Sequence, residues 1–170
     1  MSVFGSLGRE HKWQQFIRED YGFAMSYPLG WAVHIPVVGV TGTEFILAPD
    51  QVPSVYDAVL GREVLNPFVN IVISEWSDPT ENIVDTFAEQ RPRGYEGYRF
   101  SRTHHCHVRS ARHVMAYEFQ FGSGTNSFTA MSLLVQKEAR LFVITAQNTT
   151  AGFGNHRDTL QSIVFSFRLL

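Results

Sequence analysis

The sequence has one cysteine, no strongly basic segment and no long hydrophobic run. A single cysteine cannot form an internal disulfide, which is typical of proteins from a reducing compartment. Fourteen Lys and Arg against sixteen Asp and Glu give a net charge of −2, so no basic surface for nucleic acid is expected. No run approaches the roughly 18 apolar residues of a membrane span, and no signal or transit peptide is recognisable. We therefore expect a cytoplasmic protein, with a nuclear location as the alternative.

Familiar catalytic signatures are also missing. The sequence contains no G-x-S-x-G nucleophile elbow and no P-loop, and no pair of carboxylates shares a strand face. Cys106 has histidines on both sides, but on a strand His105 and His107 would face away from it. Only His104 would share its face, and no Asn or Asp is placed to orient that base. A small apolar side chain is the simpler role for Cys106, so the sequence predicts no enzyme.

What the sequence does contain is enough apolar material for one globular domain. Of its 170 residues 44% are hydrophobic, and fourteen are Phe. The segment YGFAMSYP (21–28) alternates large and small side chains with the period of a half-buried strand. Further predicted strands are 31–40, 41–49, 68–76 and a four-strand meander from residue 95, with joints at 109–110, 122–124 and 137–138. Predicted helices follow 77–81 and span 152–167, which together give an α+β sandwich with an antiparallel sheet.

Two segments have less regular patterns. Trp13, Phe16 and Ile17 have helical spacing and predict a short amphipathic helix over 9–18. The segment 50–67 contains three residues that interrupt regular secondary structure, and its apolar residues follow no regular spacing. We therefore expect a long loop with one helical turn after Pro53. The chain thus divides into an N-terminal helical extension (1–20) and a single domain (21–170).

The order of these elements resembles a known family. YGFAMSYPLGW, a strand ending in Pro-x-Gly-Trp, and a C-terminal helix running into IVFSFR (163–168) are similar to the PsbP-like family. Its superfamily includes the Mog-type Ran-binding factors and the DcrB-like proteins. The resemblance extends from about Tyr21 to Leu170, and the strand FVNIVISEW, the helix after Asp78-Pro79 and the hairpin into AYEFQF also fit.

The resemblance implies an α/β/α sandwich of the PsbP/Mog type and proteins that mostly bind other proteins. Photosynthetic members act in the thylakoid lumen, and Mog-type members bind the small GTPase Ran and tend to begin with Leu-Phe-Gly-Gly. The segment 3–6, Val-Phe-Gly-Ser, matches that motif only in part, so no functional residue is carried over from the family.

These observations favour a non-catalytic protein-binding module that acts as an adaptor or assembly factor. The expected partner is another protein, and the residues expected to contact it are Trp13, Phe16, Ile17, Val55 and Tyr56. A Mog-type regulator of Ran is the first alternative.

The second alternative is a metal-binding protein. The segment THHCHVRSARH (103–113) holds four of the seven histidines. On a strand His105 and His107 share a face, about 6.6 Å apart, and both imidazoles could reach one ion. Zinc needs at least a third protein ligand, for which His113 on the next strand is the candidate. The sequence leaves open whether these histidines hold zinc or copper or are exposed sheet residues; no other cofactor is expected.

Overall fold

The computed structural model describes residues 12–35, 43–51, 54–57 and 62–170, with the backbone alone at 54–57 and 62–65. These ranges contain twelve β-strands and two α-helices. The strands are β1 (Trp13–Arg18), β2 (Phe23–Pro28), β3 (Trp31–His34), β4 (Thr43–Pro49), β5 (Ser54–Asp57), β6 (Arg62–Leu65), β7 (Phe68–Glu75), β8 (Arg99–His104), β9 (His113–Phe121), β10 (Phe128–Lys137), β11 (Arg140–Thr149) and β12 (Arg168–Leu169). The helices are α1 (Ile83–Gln90) and α2 (Thr150–Phe165), with short 3-10 helices at Arg91–Gly94 and Gly124–Asn126.

Seven strands form one antiparallel sheet in the order β3-β4-β7-β11-β10-β9-β8. Strands β8, β9, β10 and β11 form the predicted meander. Strands β3, β4 and β7 lie within the predicted strands 31–40, 41–49 and 68–76. A smaller antiparallel sheet has the order β1-β2-β12, and β5 pairs with β6. The predicted α+β class, with an antiparallel sheet and helices in the middle and at the end of the chain, is confirmed.

Both helices begin at a side-chain cap. Asn82 Oδ1 accepts a hydrogen bond from the Asp85 N–H at the start of α1, and Thr149 Oγ1 accepts one from the Gly152 N–H at the start of α2. Helix α1 packs against β9 and β10, whereas α2 packs against β7, β10, β11 and β2. Neither helix, and no other in the described ranges, is long and apolar enough to span a bilayer.

The centre of the large sheet is buried on both faces. Leu133 of β10 and Phe142 of β11 face α2 and the small sheet, whereas Leu134 and Leu141 on the same strands face α1. All four side chains are at most 1% exposed. Burial on both faces explains why β10 carries apolar residues in succession and not in alternation.

The predicted helix over 9–18 is wrong in its described part, because residues 13–18 form the strand β1. Trp13 pairs with Pro28 and Arg18 with Phe23, in register with β2. The spacing of Trp13, Phe16 and Ile17 fits one helical face, but three residues are too few to exclude a strand. Pairing with β2 and the packing of Phe16 decide the conformation here, and tertiary contacts override the local pattern. Residues 1–11 lie outside the described ranges.

The predicted helical turn after Pro53 is also wrong. Residues 54–57 are extended and pair with 62–65, from Ser54 opposite Leu65 to Asp57 opposite Arg62. Val55 and Tyr56 therefore lie on β5, and their side chains are outside what the structure describes. A hairpin supplies hydrogen-bond partners that one isolated helical turn does not.

The histidine-rich segment departs from the predicted strand. Strand β8 ends at His104, and residues 105–112 form the connection to β9, with Ser110 in the left-handed region at φ 67°. Val108 in this connection is 6% exposed and belongs to the core, so the chain leaves the sheet edge to bury it. The predicted shared strand face of His105 and His107 is therefore wrong.

Candidate functional site

The histidines of segment 103–113 are dispersed in the structure. His105 and His107 are exposed on the connection, while His113 is half-buried at the start of β9. Within the described ranges no group of three or more His, Cys, Asp or Glu side chains is placed to hold a metal ion. The structure therefore does not bring His105, His107 and His113 together as a metal site.

Cys106 is partly buried against the main core. Burial raises the pKa of its thiol. The thiol is consequently protonated at neutral pH, which is the opposite of what a thiolate nucleophile requires. Its environment agrees with the predicted role as a small apolar side chain.

The fourth histidine of the segment belongs to a buried charge cluster centred on Glu118 of β9. Glu118 is 2% exposed, and its carboxylate accepts hydrogen bonds from His104 Nε2 at 2.9 Å, from Arg157 Nη1 at 2.5 Å and from Arg102 Nε. Burial acts to raise the pKa of Glu118, but these three donors outweigh it and leave that pKa below its usual value. The cluster joins β8, β9 and α2, and with three donors from two of these elements on one carboxylate it is suited to hold them together.

The outward face of β1 carries two large apolar side chains. Trp13 is 43% exposed and Ile17 is 49% exposed. Strand alternation places them on one side, about 13 Å apart along the chain. Phe16 points the other way and makes edge-to-face contacts with Phe23 and Phe45, at centroid distances of 5.7 and 5.3 Å. Of the described residues predicted to bind a partner, Trp13 and Ile17 are thus accessible and Phe16 is part of the core.

β1 is also the outermost strand of the small sheet. Its inner edge pairs with β2, and none of the described strands pairs with its outer edge. An outer strand offers unpaired backbone N–H and C=O groups to another extended chain. The accessible side chains and the open edge therefore lie on the same element.

A partly enclosed cavity of about 390 Å³ lies on the α1 side of the large sheet. Because α1 packs on β9 and β10, the neighbouring strands β11 and β7 are left partly uncovered and form the cavity floor. Its apolar lining consists of Val72, Phe87, Tyr95 and Val143. Its polar lining includes Asn70, Ser74, Gln90, Arg91 and Thr145.

Arg91 is the charged residue of this cavity, and it is only 9% exposed. It follows directly on the last turn of α1, and its side chain extends over the sheet. Nη1 donates hydrogen bonds to Ser132 Oγ at 2.7 Å and to Tyr117 Oη at 3.2 Å, and Nη2 donates one to Thr145 Oγ1 at 2.9 Å. Ser132 and Thr145 are opposite each other on β10 and β11 and are joined by a 2.8 Å hydrogen bond, so the two hydroxyls meet the guanidinium together.

The guanidinium of Arg91 has no anionic partner among the described residues. No carboxylate of those residues forms an ion pair with it, and its Nε–H is buried without an acceptor there. Burial acts to lower the pKa of Arg91, but Tyr95 and Tyr117 outweigh it and leave that pKa above its usual value. Arg91 is therefore a permanent cation, and the described groups that contact its guanidinium are hydroxyls and aromatic rings.

Neither Arg91 nor Glu118 was expected from the sequence as a buried charge. Arg91 lies in the segment RPRG, where the pattern indicates only the end of a helix. The sequence nevertheless contains a sign of buried polar groups. Ser132 and Thr145 interrupt strongly apolar strand sequences, and Glu118 interrupts the segment AYEFQF in the same way. Polar residues at inner positions of such strands indicate buried polar partners, although the partners themselves cannot be identified before the fold is known.

Comparison with known proteins adds to this description. No family model matches the sequence, and no curated protein matches it. Solved structures do match: the cyanobacterial PsbP (CyanoP) of Synechocystis sp. PCC 6803 superposes with a TM-score of 0.65 at 12% identity, covering 100% of this chain and 99% of that chain.

Two further solved structures have the same architecture. The Ran-binding protein Mog1p of Saccharomyces cerevisiae matches with a TM-score of 0.55 at 8% identity, over 94% of this chain and 96% of that chain. LpqN of Mycobacterium tuberculosis, which is involved in cell envelope biogenesis, matches with a TM-score of 0.54 at 13% identity, over 94% and 91% of the two chains. Identities this low establish the fold alone: the chain has the PsbP/Mog-type fold that its sequence resembles.

Proposed function

We propose that the protein is a non-catalytic binding module that serves as an adaptor or assembly factor for another protein, and that it contacts this partner through the outward face of β1. The observation that carries the proposal is the exposure of Trp13 and Ile17 on the same face of an outer strand. The fold is shared with Mog1p, a protein that binds Ran, which agrees with a binding role.

The physical basis is the apolar surface that a partner would cover. Burying the exposed parts of the two side chains would remove roughly 200 Å² from water, a gain of about 5 kcal/mol before the cost of association. Tryptophan is among the residues that most often dominate the energy of protein interfaces. The open edge of β1 can add backbone hydrogen bonds if the partner contributes an extended segment.

The test is affinity capture from cells that make the protein naturally, followed by quantitative mass spectrometry. The baits are the wild type, the double variant Trp13→Ala/Ile17→Ala, and Phe100→Ala as a matched control. Phe100 is a 57% exposed aromatic residue on β8, at the edge of the other sheet. We expect a partner whose recovery falls at least tenfold with the double variant and is unchanged with Phe100→Ala. Equal recovery by the wild type and the double variant would exclude this surface.

A second candidate is a Mog-type regulator of Ran, which the shared fold with Mog1p favours. The measurement is the rate of nucleotide release from purified Ran with and without the protein. An accelerated release that Trp13→Ala/Ile17→Ala abolishes would identify Ran as the partner. If the release rate does not change at saturating protein, this candidate is excluded, while an adaptor role for a different protein is unaffected.

A further inference from the structure

We propose that the cavity beside α1 binds a small organic carboxylate with an apolar body, and that Arg91 pairs with its carboxylate group. The site lies on the α1 side of the large sheet and involves neither Trp13 nor Ile17, so it is independent of the surface on β1. Three features carry the proposal: a buried cation that forms no ion pair with a described residue, an unused N–H donor on that cation, and a mostly apolar cavity around it.

The first feature is the charge. A buried ion is costly unless it is paired, and removal of one partner from a buried ion pair destabilises a protein strongly. Arg91 is 9% exposed, and no carboxylate of the described residues is paired with it. An incoming carboxylate would supply the missing charge in an environment where the attraction is poorly screened by water.

The second feature is an unused hydrogen-bond donor. Arginine has five N–H donors, of which Tyr117, Ser132 and Thr145 accept three. The Nε–H is buried and has no acceptor among the described residues. A carboxylate oxygen can accept this hydrogen bond while its negative charge lies beside the guanidinium.

The third feature is the apolar part of the cavity. Val72 and Val143 form its floor, and Phe87 and Tyr95 stand beside Arg91, with the guanidinium carbon 5.5 and 5.7 Å from their ring centroids. A cavity of about 390 Å³ is at the small end of the usual range for ligand pockets. This size and lining fit a short aliphatic or aryl-alkyl acid and exclude large or multiply charged anions.

Aromatic contacts alone do not offset the cost of burying the charge of Arg91. Phe119 is the nearest ring, at 4.8 Å from the guanidinium carbon. Cation–π attraction at a desolvated site offsets only part of the cost of burying an ion. A purely structural arginine would also have no need of the open cavity beside it.

The test is calorimetric titration of the full chain at pH 7.5 with 4-phenylbutyrate as the probe and 4-phenylbutyramide as its uncharged equivalent. We expect the acid to bind with a dissociation constant on the order of 100 µM and the amide at least tenfold more weakly. Binding of the acid should also shift the Arg91 Nε–H signal in the ¹H–¹⁵N spectrum, because that proton gains an acceptor.

Three variants make the test specific. Arg91→Met should weaken binding of the acid at least tenfold, and Val72→Phe, which places a larger side chain on the cavity floor, should do the same. Arg93→Met removes an exposed arginine of the same 3-10 helix and should leave the affinity unchanged. Equal affinity for acid and amide, unchanged affinity in Val72→Phe, or no binding up to about 10 mM would each overturn the proposal. Val72→Phe keeps it testable if Arg91→Met does not fold.

Discussion

The side-chain oxygen of Gln136 accepts a 2.9 Å hydrogen bond from the backbone N–H of Ile83, the first residue of α1. Gln136 lies on β10 and is completely buried, and its Nε2 donates to the backbone oxygens of Glu81 and Glu138. One side chain of the central sheet thus satisfies the backbone at the start of a helix 53 residues earlier in the chain. This relationship fixes the position of α1 and, with it, of Arg91 at its end.

We expect Gln136→Met to lower the free energy of unfolding by about 2 kcal/mol. The variant removes the buried hydrogen bond from the Ile83 N–H, which keeps only a longer one to the Glu81 oxygen, and both hydrogen bonds donated by Nε2, while the volume hardly changes. Urea unfolding at neutral pH measures the loss. Gln51→Met, at an exposed glutamine, is the control and should change stability by less than about 0.5 kcal/mol. Equal stabilities of the two variants would show that Gln136 does not hold α1 in place.

Glu118→Gln should destabilise the protein by about 3 kcal/mol at pH 7, because Arg102 and Arg157 lose their common counter-charge. The folded-state pKa of Glu118 is lowered, so its ionised form stabilises the fold above the unfolded-state pKa of about 4.3. That contribution is lost as the pH falls through the lowered folded-state pKa.

The measurement is urea unfolding of the wild type and Glu118→Gln from pH 7 down to pH 2. The difference between the two proteins should shrink steadily once the pH is below about 4. Glu96→Gln, at an exposed position, should have the same free energy of unfolding as the wild type at every pH in this range. A difference that stays constant or grows on acidification would contradict the assignment of Glu118 as the stabilising anion.

Gly122→Ala should destabilise the turn between β9 and β10 by at least about 2 kcal/mol. Gly122 has φ 77°, and an added Cβ would lie 2.0 Å from the backbone oxygen of Asn126. Gly154→Ala is the matched control, since a Cβ there meets nothing within 4 Å and the position is helical. It should stabilise the protein by up to about 1 kcal/mol. Thermal unfolding measures both changes in stability, and we expect a loss for Gly122→Ala and a gain for Gly154→Ala.

Phe16→Ala and Trp13→Ala test the strand at residues 13–18 directly. Phe16 packs on Phe23 and Phe45, so its truncation should cost about 2 kcal/mol of stability, whereas loss of the exposed Trp13 should cost less than about 1 kcal/mol. On the predicted helix both side chains would share one face, and the two losses would be similar. Chemical unfolding distinguishes the two arrangements.

Much of the fold could be predicted from the sequence because its elements have long, regular patterns. The strand at 21–28, the β-branched strand at 68–76 and the meander after residue 95 are defined by period and by turn residues at their ends. Helix α2 is long enough for its apolar spacing to be unambiguous. These patterns are local, so they can be recognised in the sequence without knowledge of the tertiary structure.

The errors have a common physical origin in short segments whose conformation is set by distant contacts. Residues 13–18 are extended because β2 pairs with them, and the strand containing His104 stops where it does because Val108 reaches the core. The buried positions of Arg91 and Glu118 depend on which hydroxyls and cations meet them from other strands and helices. A local sequence pattern does not identify partners that come from distant strands and helices. The charge cluster around Glu118 and the cavity beside Arg91 could therefore not be predicted.

The small sheet also bears on how the chain folds. Strand β12 pairs with β2, and the Leu170 N–H bonds to the Gly22 oxygen, so this sheet joins segments almost the whole described chain apart. Strands β8 to β11 instead pair with their neighbours in sequence through short connections. Strands β1 and β2 are likewise neighbours joined by a short connection. Closing a long loop costs more entropy than closing a short one, so the meander and the β1–β2 hairpin can form early and the pairing of β12 with β2 late. Hydrogen exchange during refolding should therefore show the Leu170 amide protected after those of β10 and β11.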